Sequence, residues 1–236
     1  MIIWAGTSSK DVGMVIEHYP GVIIPQKNVE TQHVPGRSDD ILLPDGSYQN
    51  YTQNYQAFLD AKNLGGLEAV MPKITDWLLG HEGYQRLEDS YFPDVYRMAC
   101  YTGGSEFISM FNEYGEGTLS FNCAPEKFYK IGDEPISMTQ NKKLFNKSAF
   151  PANPIIELTG NGSNGVLYFN GVGFGINSVP SNLTIDVKQH RAYYGSTSYS
   201  SRITGAYENL VLGKETTVSW SGGITSVKIR PRWWTI

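Results

Sequence analysis

Cysteine is nearly absent from this chain. Cys100 and Cys123 are the only two among 236 residues. Two thiols so far apart in sequence build no zinc ribbon, and each is expected in a core as a small apolar residue rather than in a disulfide. Histidine is almost as scarce. His18, His33, His81 and His190 are scattered, and no two have metal-ligand spacing. Charged residues make up only 18%, with 19 Lys and Arg against 23 Asp and Glu, a formal net charge of −4. A protein that grips nucleic acid needs a surplus of cations to neutralise phosphates, so firm DNA or RNA binding is not expected. No apolar run approaches the roughly 18 residues of a membrane span. The start, Met1-Ile2-Ile3-Trp4-Ala5-Gly6, has no basic segment, so no secretory leader is expected, and synthesis in a reducing cytoplasm is. No internal repeat or long low-complexity tract is present.

What the chain does have is turn formers and aromatic residues. There are 25 Gly, 12 Pro, 15 Tyr and 10 Phe, with 40% hydrophobic residues overall. Aromatics suit half-buried pleated surfaces and Gly and Pro punctuate turns, so the composition points to a mainly β fold. The length allows one large β domain or two small ones. Strands are expected at Val12 to Glu17, Val29 to Val34 and Ile41 to Leu43, the last stopping at a Pro44-Asp45-Gly46 turn. Tyr48, Tyr51, Tyr55 and Phe58 mark a long strand with one exposed face. One helix is expected, with Pro72 in its first turn, an Ile74/Trp77/Leu78 stripe and Gly80 as its stop. Trp77 should anchor that helix on the first domain's sheet. Further strands are expected at Tyr84 to Leu87 and Arg97 to Tyr101. Phe107 to Phe111 and Thr118 to Cys123 should form a hairpin through Gly115-Glu116-Gly117.

A polar stretch, Gln140-Asn141-Lys142-Lys143, lies between Gly132-Asp133-Glu134-Pro135 and Phe150-Pro151. It places a domain boundary near residue 140, giving domains 1–140 and 141–236. The second is denser in short strands, with hairpin turns at Asn170-Gly171 and Ser221-Gly222-Gly223, the spacing of a sandwich.

Catalytic patterns are missing. Gly160-Asn161-Gly162-Ser163-Asn164-Gly165 fits G-x-G-x-x-G and has Asp186 downstream, but a strand, Val166-Leu167-Tyr168-Phe169, follows where a dinucleotide site needs a helix N-terminus. The segment is read as a hairpin loop. His81-Glu82 lacks the second His of a zinc protease. The adjacent carboxylates Asp39-Asp40 and Glu88-Asp89 point to opposite faces if they lie on strands and are read as solvated loop charges rather than as a glycosidase pair. No catalytic, cofactor or metal site is assigned. Arg230-Pro231-Arg232-Trp233-Trp234 reads as a terminal staple or interface. The matches to N-x-[ST] at Asn50, Asn146, Asn161 and Asn182 are read as polar loop positions.

Several segments resemble the distal tail protein family of siphophages. His33-Val34-Pro35-Gly36-Arg37-Ser38-Asp39-Asp40 with Asp45-Gly46-Ser47-Tyr48-Gln49-Asn50 is similar to the family's V-P-G-R-(S)-G-D…D-G-x-Y-x-N start, with Asp39 where Gly is frequent. Gly83-Tyr84-Gln85-Arg86-Leu87-Glu88-Asp89-Ser90-Tyr91 and Asp94-Val95-Tyr96-Arg97-Met98-Ala99 resemble its G-Y-x-x-L-x-D-x-Y-x-P-D-x-Y-R stretch. Leu119 to Pro125 resembles its F-x-C-x-P strand end, and Ile155 to Gly162 and Pro231 to Trp234 its second domain and terminus. The resemblance implies an N-terminal β-sandwich-like domain with one helix that closes a hexameric ring, followed by a galectin-like or carbohydrate-module-like β-sandwich. It implies a non-enzymatic hub at the virion's tail tip, with the major tail protein, tape-measure protein, tail-associated lysin or fibre and a receptor-binding protein as partners. DNA would pass through the ring without specific binding, which an acidic chain permits. A carbohydrate-binding module for host recognition is the alternative, with Tyr193, Tyr194, Trp220 and Trp233 as candidate sugar platforms, and a cell-wall hydrolase is the remaining one.

Overall fold

The computed structural model describes residues 1–110 and 112–236 and divides into two units, residues 1–127 with Ile236 and residues 128–235. The fold is mainly β, with one α-helix among the described residues. The division falls at Lys127/Phe128, and the polar stretch around residue 140 lies inside the second unit. Ladder hydrogen bonds bind that stretch to the unit's longest strand, which overrides its linker-like composition.

The first unit contains β1 (Ile2–Trp4), β2 (Thr7–Ser8), β3 (Met14–Ile16), β4 (Lys27–Gln32), β5 (Ile41–Tyr48), β6 (Tyr51–Asp60), α1 (Leu67–Leu79), β7 (Gln85–Asp89), β8 (Val95–Cys100), β9 (Phe107–Met110) and most of β10 (Tyr114–Tyr129). Its antiparallel sheet runs β2-β1-β7-β8-β10-β6-β3, with β9 also on β10. β6 alternates strictly: Tyr51, Gln53, Tyr55, Ala57 and Leu59 are buried, and they lie beside Leu119, Phe121 and Cys123 of β10. The helix closes this core with Leu67, Val70, Ile74, Trp77 and Leu78. Trp77 is 5% exposed and donates its indole N–H to the Trp4 carbonyl at 3.3 Å, as its place on the apolar stripe predicts.

Three local expectations are corrected here. Pro72 sits inside α1 rather than in its first turn. Burial of Leu67 and Val70 extends the helix upstream, at the cost of one backbone hydrogen bond. Pro44-Asp45-Gly46 is not a turn, because β5 runs through it beside β4 with a register shift between Lys27 and Val29. Gly46, at φ 82°, supplies the bulge, and Asp45 accepts from the N–H and hydroxyl of Ser47. Gly115-Glu116-Gly117 lies within β10. The β9–β10 pairing starts at Met110↔Tyr114, so the chain reverses earlier; Phe111, the expected end of the preceding strand, lies outside the described residues. A Cβ on Gly117 would meet the Glu106 carbonyl at 2.5 Å, which explains a glycine in a strand.

The second unit contains β11 (Ile136–Ser137), β12 (Lys142–Phe145), β13 (Ile155–Phe169), β14 (Val172–Ile176), β15 (Leu183–Asp186), β16 (Arg191–Tyr194), β17 (Thr197–Ser198), β18 (Glu215–Arg230) and β19 (Trp234–Thr235). Its sheet order is β11-β18-β13-β15-β16-β17, with β12 on β18 and β14 on β13. Asn170-Gly171 is the expected hairpin turn, with φ 51° and 82°. Ser221-Gly222-Gly223 is not a turn. The short strands that the spacing predicts at Ile155 to Thr159 and Val166 to Asn170 merge into β13, and those at Glu215 to Trp220 and Ile224 to Ile229 into β18; the two pair from Ile155↔Arg230 to Phe169↔Val218. Ile156, Leu158, Leu167, Phe169, Val218, Val227 and Ile229 of this pair anchor the unit's core.

Candidate functional site

The G-x-G-x-x-G segment is neither a cofactor cradle nor a hairpin loop. It is an excursion within β13, marked by register shifts between Thr159 and Gly160 and between Gly160 and Gly165. Val179 fills it: a Cβ on Gly160 would meet the Val179 side chain at 2.3 Å and its carbonyl at 2.5 Å. Gly162 N–H donates to the Val179 carbonyl and Val179 N–H to the Ser163 carbonyl, at 2.8 and 2.9 Å. Asp186 faces the chain end, accepting from Gln189 N–H and from Arg232.

The histidines do not converge. His33 pairs with Asp40 at 3.0 Å, His81 lies edge-on to Trp4, and His190 stacks on Tyr207 with Glu208 3.7 Å away. No group of three His, Cys, Asp or Glu among the described residues is placed to hold a metal.

A buried polar cluster lies in the first unit, and the sequence reading missed it. Glu88 and Asp89 are not loop charges but neighbours on β7, pointing to opposite faces. Glu88 meets Arg86 at 2.6 Å, while Asp89 is buried and meets Arg97 at 2.6 Å. Asp89 also accepts from Tyr55 O–H and from the N–H groups of Tyr91 and Phe92, and Arg97 donates to Tyr51 O–H. Burial lifts the Tyr51 hydroxyl to about 12 and the Cys123 thiol to about 12, and lifts Tyr55 further. Lys127 is lowered by burial and by the Arg97 charge, and donates to the Ile23 carbonyl. Tyr51, Tyr55, Asp89 and Arg97 satisfy one another, and the cluster holds β6, β7 and β8 together. Its Asp89 and Arg97 are the acidic and basic residues of the G-Y-x-x-L-x-D…Y-R stretch, and Leu87 of the same stretch is fully buried.

The surface is more informative. β4 and β5 form a two-stranded arm, paired with no other strand among the described residues, whose residues are nearly all exposed. Its tip carries the V-P-G-R segment, with Gly36 at φ 87° and Arg37 on Asp39 at 2.8 Å. The preceding segment is held to the sheet through its backbone, Gln53 donating to the Gly21 carbonyl and Lys127 to that of Ile23. Tyr19, Val22 and Ile24 are left outward at 76, 72 and 80% exposure, and the arm adds exposed Val29 and Leu42 on one face and Leu43 on the other. By contrast, the outer face of β6 and β10 is uncharged in its middle and carries the exposed carboxylates Asp60 and Glu116 at one end. Thr52, Asn54 and Gln56 stand opposite Asn122, Ser120 and Thr118, and no Lys or Arg stands among them.

The candidate sugar platforms are not assembled. Trp233 is 6% exposed and packs in the second unit's core. Tyr193 shares a row with Thr184, Glu157 and Lys228, while Trp220 lies opposite Leu167, eight residues along β18 and thus roughly 26 Å away. The terminal motif is a staple: Trp234 stacks on Phe150 and donates to the Pro151 carbonyl at 2.8 Å, and Arg230 pairs with Glu157.

No protein family and no curated protein matches the chain by sequence. Solved structures do match it by fold. The Dit protein of SPP1, described as a paradigm of the hub adsorption apparatus of phages infecting Gram-positive bacteria, superposes with a TM-score of 0.73 at 12% identity, over 100% of this chain and 98% of that one. Chains of the phage P2 baseplate in its activated conformation match at TM-scores of 0.51 with Ca and 0.50 with Sr, at 8 and 9% identity, each covering 92% of this chain and 90% of that one. The chain therefore has, over its whole length, the fold of a Dit-like phage tail protein.

Proposed function

We propose that this protein is a structural, non-enzymatic subunit of a siphophage tail tip, found in the virion after synthesis in the host cytoplasm. Six copies form a ring that joins the tail tube and tape-measure end to the tail-associated lysin or fibre and a receptor-binding protein. The full-length likeness to the SPP1 Dit hub protein carries this reading. The exposed apolar arm supports self-association, because a lone two-stranded hairpin is marginal in water and gains stability by packing on a neighbour. A ring is a heterologous assembly, so this surface must meet an unlike one on the next copy. The first unit is the ring former and the second, galectin-like unit carries the adhesion apparatus. Residues 1–127 hold eight Lys and Arg against seventeen Asp and Glu, a formal charge of −9. Such a unit offers DNA a passage without a grip.

Light scattering with negative-stain imaging of the same peak tests the reading. Six copies of 26.3 kDa make about 158 kDa, and a ring near that mass is the expected result. Leu42→Asp with Leu43→Asp should shift the peak to monomer. A monomer at every concentration, alone and mixed with tail tubes, overturns the proposal.

A further inference from the structure

The acidic balance of the whole chain hides two opposite halves. Residues 128–235 carry eleven Lys and Arg against six Asp and Glu, a formal charge of +5. Part of this excess is concentrated on one strand edge. β12 pairs with β18 through Lys142↔Val218 to Phe145↔Glu215, and no strand among the described residues pairs with its other side. The segment from Lys143 to Ser148 alternates outward and inward. Leu144, Asn146 and Ser148 are buried, while Lys143, Phe145 and Lys147 are exposed. Exposed Lys214 lies beside this segment, its carbonyl accepting the Asn146 N–H at 3.0 Å. Lys143 is held by Glu215 at 2.6 Å, whereas the ammonium groups of Lys147 and Lys214 have no partner among the described residues.

Lysines alone on an edge strand would serve to keep other strands away. Phe145 contradicts that simple role, because an aromatic ring 61% exposed in the middle of the edge invites contact. Self-pairing of two such edges would set lysine against lysine, which is unfavourable. The combination suits one kind of occupant. An open edge offers main-chain hydrogen bonds, the ring offers an anchor, and flanking ammonium groups select and steer acidic side chains. We propose that β12 is a docking edge for an acidic, extended segment of a partner protein, which adds as a strand alongside it. This holds whether or not the chain closes into a ring.

The test uses the full chain and a fluorescent peptide of alternating Glu and Val. Binding is expected at low salt and should weaken as salt rises. Lys143→Glu, Lys147→Glu and Lys214→Glu together should weaken it at least tenfold, and Phe145→Ser alone should weaken it measurably; all four positions are exposed, so folding is spared. An N-methylated version of the peptide should not bind, which separates strand addition from charge attraction. Equal binding by the charge-reversed variant, or no binding at low salt, overturns the proposal. So does poly(glycerol phosphate) binding as well as the peptide while N-methylation changes nothing, since the edge would then be a general polyanion surface.

Discussion

Arg97 and Asp89 meet at 2.6 Å with side-chain exposures of 3 and 0%, and Asp89 takes three further hydrogen bonds from Tyr55, Tyr91 and Phe92. Removing one partner of such a pair leaves a buried charge without compensation, which costs about 3–5 kcal/mol. Arg97→Met is therefore expected to lower stability by that amount, read from the urea midpoint. A loss below about 1 kcal/mol would show that the aspartate is reached by water or a proton instead.

Trp77 makes a similar but apolar anchor. Trp77→Ala should cost about 3–5 kcal/mol, as for large buried aromatics in general. Trp77→Phe keeps most of the packing and loses the bond to the Trp4 carbonyl, so about 1 kcal/mol is expected. Thermal melts of the two variants would separate these contributions, and identical melting temperatures for wild type and Trp77→Ala would refute the anchoring role.

The buried thiol and phenols make the first unit sensitive to alkali. Cys123 is held up at about 12 against an ordinary 9.0, and Tyr51 at about 12 against 10.0. Between those values the unfolded chain loses protons that the folded chain keeps. The stabilisation is thus complete below about pH 9 and falls as pH rises through 12. Lys127, lowered by burial, acts in the opposite sense. Chemical denaturation at pH 8 and pH 11 should show the loss, and Cys123→Ala should flatten its slope; an unchanged slope would place the effect elsewhere.

Gly160 is expected to resist substitution. A methyl group there overlaps Val179, so Gly160→Ala should destabilise the second unit by about 1–3 kcal/mol. Substituting Gly171, whose Cβ direction is open, tests a different cost, the strain of φ 82° alone. Equal stability of Gly160→Ala and wild type would mean that the Val179 segment moves aside.

The fold class, the helix stripe and the Asn170-Gly171 turn were legible because each depends on neighbours in sequence. The same turn chemistry misled at Pro44-Asp45-Gly46 and Ser221-Gly222-Gly223. A glycine at positive φ serves a bulge in a long strand as well as it serves a reversal, and only the distant partner strand decides between them. Asp89 looked like a loop charge because its partner, Arg97, stands on the next strand. The apolar arm was hidden for another reason: Val29 and Leu42 read as half-buried strand residues, and nothing local reveals that, among the described residues, β4 and β5 have only each other. Lys142 and Lys143 were read as a linker because their pairing partners, Val218 and Thr217, lie far along the chain.

The pairing of Ile155 with Arg230 has a consequence for how the chain is made. The central pair of the second unit joins β13 to the unit's last long strand, so this sheet cannot close until residue 230 has left the ribosome. Until then β13 has only β14 and β15 as partners among the described residues, and the edge that β18 takes stays open. A chain cut before β18 thus keeps the residues of the first unit but loses half of the second unit's central pair, a closure whose long sequence separation makes it slow.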